Sequence, residues 1–252
     1  SFVNQVVHDD IDVDEVIADP VMITETRKDS LRHPAIHLPR DLFAPARINS
    51  AGINLADPVQ RDKLLAAVTR KAENKWLAQP LVGGKALKGR SVPVLNPAQT
   101  SARVGTANWA DDKAALAALD VAAAHWTAWS ELPAADRGAL LDRAANLFEA
   151  QRAELVALGV REAGKTIPDS LAEVREAVDF LRYYATETRR LFAEPAVLPG
   201  PTGEHNELRL AGRGIFICIS PWNFPVAIFT GQIAAALGAG NAVIAKPAEQ
   251  TS

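Results

Sequence analysis

Two short apolar runs, each ending in polar residues, constrain this chain more than any other part of it. The first reads Gly214-Ile-Phe-Ile-Cys-Ile-Ser-Pro-Trp-Asn-Phe-Pro225, and the second Asn241-Ala-Val-Ile-Ala-Lys-Pro-Ala-Glu-Gln250. Residues 214–219 are β-branched, aromatic and otherwise apolar, which predicts a strand buried on both faces, and Pro221 has to end it. Residues 226–238 are almost all apolar or small, so the connecting helix is expected to be buried nearly all round, with Gly238 and Gly240 ending it. Residues 241–245 make the second strand. Strand, helix and strand in this order form a parallel unit, and ligands of such sheets sit beyond the carboxyl ends of the strands. Trp222 and Asn223 fall there, as do Lys246 and Glu249, roughly 20 residues on, where a dinucleotide fold places a group for the adenosine ribose. The first turn has no G-x-G-x-x-G, so a cofactor would lie differently from one cradled by a glycine-rich loop.

An asparagine in a proline-bounded turn usually bonds its own backbone, and a lone lysine after a strand is usually a surface charge. The combination is more telling. Ile219-Ser-Pro-Trp-Asn-Phe-Pro225 with Lys246-Pro-Ala-Glu-Gln-Thr251 resembles the paired signature of the aldehyde dehydrogenase superfamily. The resemblance implies an α/β fold with a Rossmann-type cofactor domain and NAD as cofactor. It also implies contacts with that cofactor from Ile219, Ser220, Pro221 and Trp222, with Lys246 and Glu249 on the ribose hydroxyls. Asn223 would donate its side-chain amide to the oxyanion formed when a thiolate attacks the aldehyde; a donor so placed contributes about 3–4 kcal/mol in comparable sites. A carboxylate at the ribose favours NAD over NADP, while Lys246 leaves a 2′-phosphate tolerable.

The rest of the chain reads as helices before the sheet. Residues 91–96 and 102–105 form a hairpin about Pro97. Residues 111–130 carry Leu116, Leu119, Ala123 and Trp126 on one helical face. Pro133 opens a helix with a stripe of Leu140, Leu141, Ala144, Leu147 and Phe148. Leu155, Leu158 and Val160 lead to a C-cap at Gly164, and Asp169 or Ser170 opens a helix whose face is Val174, Val178, Leu181 and Ala185. Residues 208–211 form an edge strand.

Residues 1–7, 17–20, 38–43 and 49–55 resemble the junction of the proline utilisation A family, in which a flavin-dependent proline dehydrogenase barrel precedes an L-glutamate γ-semialdehyde dehydrogenase. On that resemblance residues 1–18 are the tail of the barrel, 19–75 a connector, and 76–252 the N-terminal part of an incomplete NAD-binding domain. FAD would belong to the barrel alone. Pro20, Pro34, Pro39, Pro45 and Pro58 make the connector an irregular crossing. The resemblance further implies Glu176 as a substrate contact, glutamate semialdehyde as substrate and a homo-oligomer built partly by strand extension. It places the nucleophilic cysteine and the base beyond Ser252, so the 252 residues alone are expected to be inactive. The alternative is a truncated, non-catalytic nucleotide-binding or oligomerising module.

Other chemistries find little support. Cys218 is the only cysteine and lies inside the first strand, where apolar surroundings keep a thiol protonated and inert. No zinc spacing joins His8, His33, His37, His125 and His205, and no serine sits in G-x-S-x-G, so no metal is expected. With 27 basic against 30 acidic residues and a net charge of −3, there is no footprint for nucleic acid. Residues 227–245 are uncharged, but Gln232, Asn241 and several glycines fit a core helix and strand better than a membrane span. A cytoplasmic enzyme is the expectation.

Overall fold

The computed structural model describes residues 12–26 and 36–252. The chain divides into two compact units, residues 1–38 and 39–252. In the first, α1 (Val13–Ile17) is capped by Asp12 and α2 (Pro20–Thr26) begins at a proline. The family likeness of residues 1–7, together with His8 and His33, lies outside the described residues.

The second unit opens with a 3-10 turn (Pro39–Asp41) and α3 (Pro58–Lys71), capped by the Asp57 carboxylate on the amides of Val59 and Gln60. The expected irregular crossing is therefore partly helical, because Pro20 and Pro58 sit where a helix needs no amide from them. β1 (Trp76–Ala78), β4 (Arg90–Asn96) and β5 (Gln99–Trp109) form one sheet in the order β1-β5-β4, and β2 (Leu81–Val82) pairs with β3 (Lys85–Ala86). The hairpin read from residues 91–105 is present with a longer second strand.

Four helices follow: α4 (Asp112–Glu131), α5 (Ala134–Ala150), α6 (Arg152–Ala163) and α7 (Ile167–Phe192). The face expected of α4 holds at Trp126 and is otherwise corrected: Leu116 is 63% exposed and Leu119 and Ala123 are exposed too, while Ala114, Val121 and Trp129 turn inward with Trp126. In so alanine-rich a helix the small residues allow close approach, and large side chains no longer mark the buried side. On α5, Leu141 and Ala145 are buried but Leu147 is exposed. α6 ends at Gly164, whose φ of 67° is the left-handed conformation that glycine adopts without penalty. α7 starts earlier than Asp169, because Thr166 takes the N-cap and accepts the Asp169 amide. Its predicted face, Val174, Val178, Leu181 and Ala185, is buried throughout and splits between two clusters. One holds Leu64, Val68, Val156, Ala157, Leu171 and Val174; the other Leu141, Ala145, Val178, Leu181, Ala185 and Ala234.

β6 (Ala196–Leu198) and β7 (Asn206–Leu208) pair as an antiparallel ribbon, so the strand expected over 208–211 is shifted to 206–208 and overlaps that range at Leu208 alone. The chain then enters β8 (Ile215–Ile219), α8 (Ala227–Gly238) and β9 (Ala242–Lys246). β8 and β9 are parallel, as the sequence pattern required. The expectation that β8 is buried on both faces is corrected. Cys218 is buried, but Phe216, Ile217 and Ile219 are exposed, Ile217 by 64%. This sheet has two strands, with α4 and α8 each packed against both, and among the described residues Phe216, Ile217 and Ile219 are left without cover. Among those residues no helix is long and apolar enough to cross a membrane.

Candidate active site

Parallel pairing puts the carboxyl ends of β8 and β9 side by side. Ile219 faces Lys246 in the register, and the Ser220 amide donates to the Lys246 carbonyl at 3.1 Å. The turn bearing Pro221, Trp222 and Asn223 and the segment bearing Glu249 thus leave the sheet at one end. Gln232 of α8 closes the first exit. Its amide donates to the Ile219 carbonyl at 3.3 Å, and its carbonyl accepts the Ser220 hydroxyl at 3.1 Å. Trp222, Asn223, Lys246 and Glu249 are all exposed. Neither Lys246 nor Glu249 enters an ion pair among the described residues, so a cation, a carboxylate, an amide and an aromatic face remain free at the strand ends. This donor set fits a ribose diol and an oxyanion: a carboxylate accepts from hydroxyls, and an ammonium and an amide donate.

The turn is held from behind by two residues the sequence reading did not single out. Glu173 of α7 is buried, and its Oε1 accepts the amides of Val226 and Ala227 at 2.7 and 3.2 Å, capping α8 from another helix. Its Oε2 meets Lys165 Nζ at 2.9 Å, and that ammonium stands 4.5 Å from the centroid of the Phe224 ring. A signal existed in the sequence. Glu173 interrupts the stripe of Leu171, Val174, Ala177 and Val178, and a carboxylate on a buried helical face needs partners. Glu176, one turn further along α7, is exposed and has no hydrogen bond or ion pair among the described residues. It shares the helix of Glu173, which holds the start of α8.

At the opposite end of the strands, Asn241 is buried and joins three elements. Its carbonyl oxygen accepts the amides of Arg213 and Gly214, and its side-chain amide donates to the Ala236 carbonyl at 3.2 Å. Arg137 lies buried beside a cavity of about 400 Å³ that Pro133, Phe192 and Gly212 also line; this end is remote from the exits of β8 and β9. Cys218 is buried within β8, and burial pushes its thiol up from its ordinary value. It is unsuited to act as a thiolate nucleophile.

A parallel strand–helix–strand unit with an amide-bearing turn and a Lys/Glu pair at its exit defines a class. The aldehyde dehydrogenase family profile matches residues 85–252, and the chain belongs to that family. Over its whole length it is 45% identical to the bifunctional protein PutA of Escherichia coli, and 42% identical to that of Rhizobium meliloti. It spans 18% and 19% of the length of those relatives. The crystal structure of a Bradyrhizobium japonicum proline utilization A variant superposes with a TM-score of 0.73 at 41% identity, covering 100% of this chain and 22% of that one. A 1-pyrroline-5-carboxylate dehydrogenase from Thermus with bound NAD gives the same TM-score at 34% identity, covering 88% of this chain and 41% of that one.

Proposed function

We propose that this chain is the cofactor-side portion of an NAD-dependent dehydrogenase that oxidises L-glutamate γ-semialdehyde to glutamate within a bifunctional, proline-degrading protein. The observation that carries the reading is the pairing of Ile219 with Lys246, which directs the Asn223 turn and the Lys246–Glu249 segment from a single sheet end. The likeness to PutA along the whole chain and to an NAD-bound 1-pyrroline-5-carboxylate dehydrogenase supports the choice of substrate and cofactor.

In this reading Lys246 and Glu249 hold the adenosine ribose, with Ile219, Ser220, Pro221 and Trp222 beside the rest of the cofactor. Bound NAD supplies the hydride acceptor. Asn223 donates to the aldehyde oxygen as it gains negative charge, and Glu176 contacts substrate. The attacking thiolate comes from outside these 252 residues, because their one cysteine is buried and protonated. Residues 1–18 are the tail of a proline dehydrogenase barrel, which carries the FAD. Residues 19–75 connect it to the dehydrogenase portion, 76–252. The protein is a cytoplasmic homo-oligomer.

The test is NAD reduction by the native polypeptide that contains this chain, assayed with glutamate semialdehyde and with simple aliphatic aldehydes. Preference for the semialdehyde is expected, and the 252 residues alone should give no turnover. Equal rates on all aldehydes, or activity of the isolated 252 residues, would refute it.

A further inference from the structure

Asn223 is exposed, and its side chain makes no hydrogen bond among the described residues, so its aim is set through the backbone on either side. On the N-terminal side the turn is fastened by Ser220 to Gln232 and to the Lys246 carbonyl. On the C-terminal side, besides the bonds of α8 itself, it is fastened by Glu173 of α7 and by Lys165 in the connection between α6 and α7. Gly164, in the left-handed conformation, ends α6 and delivers Lys165, whose amide closes on the Gly159 carbonyl at 3.3 Å. Lys165 Nζ then reaches both Glu173 Oε2 and the Phe224 ring, while Glu173 Oε1 receives two consecutive amides at the start of α8.

We propose that Lys165 and Glu173 are positioning residues for Asn223. The pair clamps Phe224 through the ammonium and Val226 and Ala227 through the carboxylate, so that the backbone after Asn223 cannot move independently of α7. The Glu173 side chain is 2% exposed and that of Lys165 12%, which makes the pair costly to leave half-formed and poor at adapting. Both of its attachments fall within four residues of Asn223, and neither touches Lys246 or Glu249. Losing the pair therefore loosens the amide donor and spares the adenosine side. A salt bridge that only stabilised the fold would act on both alike.

The inference rests on the role given to Asn223 above, so its test has one arm that needs no turnover. Glu173→Gln, Glu173→Ala and Lys165→Arg are made in the native polypeptide. Glu173→Gln is expected to lower kcat by about 10- to 100-fold, the cost of a group displaced by about an ångström. The Kd for NAD, from equilibrium titration without aldehyde, should move less than about twofold, since only one pairwise contact remote from the ribose groups is lost. Lys165→Arg, which keeps the charge pair, should retain kcat within about threefold. Deuterium exchange of amides 224–228 should rise at least tenfold in Glu173→Gln, with exchange elsewhere unchanged, a loss of roughly one buried hydrogen bond. Unchanged kcat, or parallel losses in kcat, NAD affinity and unfolding midpoint, would overturn the proposal. If the unsubstituted polypeptide proves inactive on the semialdehyde, the functional reading has failed and the exchange arm decides: unchanged exchange at 224–228 refutes the clamp, and faster exchange supports it. Should Glu173→Ala not fold, Glu173→Gln and Lys165→Arg carry the test.

Discussion

Asn223 and Glu162 illustrate how differently two polar residues are handled. Asn223 stands free at the sheet end, so truncating it removes a donor and leaves nothing buried behind. Asn223→Ala in the native polypeptide should lower kcat by about 10²–10³-fold with little change in NAD affinity, as steady-state kinetics and NAD titration would record. An unchanged kcat would remove Asn223 from the chemistry. Glu162 lies at the end of α6, lining a small cavity with Trp76, Val104 and Leu158, and burial pushes its carboxyl up to about 7 although the Ser252 amide favours the charge. The folded state therefore holds a proton that the unfolded state releases near pH 4.5, and stability falls as pH rises between about 4.5 and 7. Glu162→Gln should be more stable than the parent at pH 8, by on the order of 2 kcal/mol, and should lose that advantage below about pH 4.5. Denaturant unfolding across pH measures it, and a constant difference would refute the titration of Glu162.

Among the elements, α8 shows best how a sequence without charge becomes a fixed helix. Ala227–Gly238 has no acidic or basic residue in its end turns and no side-chain N-cap of its own. Glu173 caps the start. At the far end Trp129 donates to the Leu237 carbonyl at 3.1 Å, Arg137 to the Gly238 carbonyl at 3.2 Å and Trp126 to the Gly240 carbonyl at 3.2 Å. A carboxylate at the N-terminus and a guanidinium at the C-terminus each match the helix dipole. Packing is close along the length. A Cβ at Gly231 would stand 3.0 Å from the Phe180 ring, and one at Gly238 only 2.4 Å from Thr188 Oγ1. Gly238→Ala should thus destabilise the chain by about 1–3 kcal/mol despite alanine's better helix propensity. Adding Thr188→Ala should recover much of the loss, a coupling that a double-mutant cycle in thermal unfolding would quantify. Additive effects would show that the contact is not the cause.

For the whole molecule, the balance between covered and open sheet surface matters most. β8 carries exposed Phe216, Ile217 and Ile219 on strands with open edges, a combination that promotes association with other strands. Ile217→Lys should reduce self-association of the 252-residue chain in sedimentation velocity without lowering its unfolding midpoint. No change in the sedimentation profile would acquit this face. Elsewhere the structure is tied together by side chains far apart in sequence. Asp179 accepts the Ser50 amide at 2.6 Å, and Glu149 accepts the Ala51 amide while pairing with Arg182 at 2.9 Å. Although burial works against its charge, the Ala51 amide and the Arg182 and Arg152 guanidinium groups hold Glu149 below its ordinary value.

Local pattern alone determined the strand–helix–strand order of 214–246, the parallel pairing, the helical cap at Gly164 and the face of α7, because each depends on residues a few positions apart whose steric and hydrophobic preferences agree. The polar groups at the strand ends were legible for the same reason: Pro221 and Gly240 bound the elements that carry them. The inward face of α4 was not legible, since an alanine-rich helix packs by small residues that periodicity does not mark. Nor were the open face of β8 and the roles of Glu173, Lys165, Arg137 and Trp129. An apolar strand reads alike whether one or two of its faces are covered, and the groups that hold the ends of α8 come from residues 53 to 114 positions away, a pairing that only the packed chain establishes.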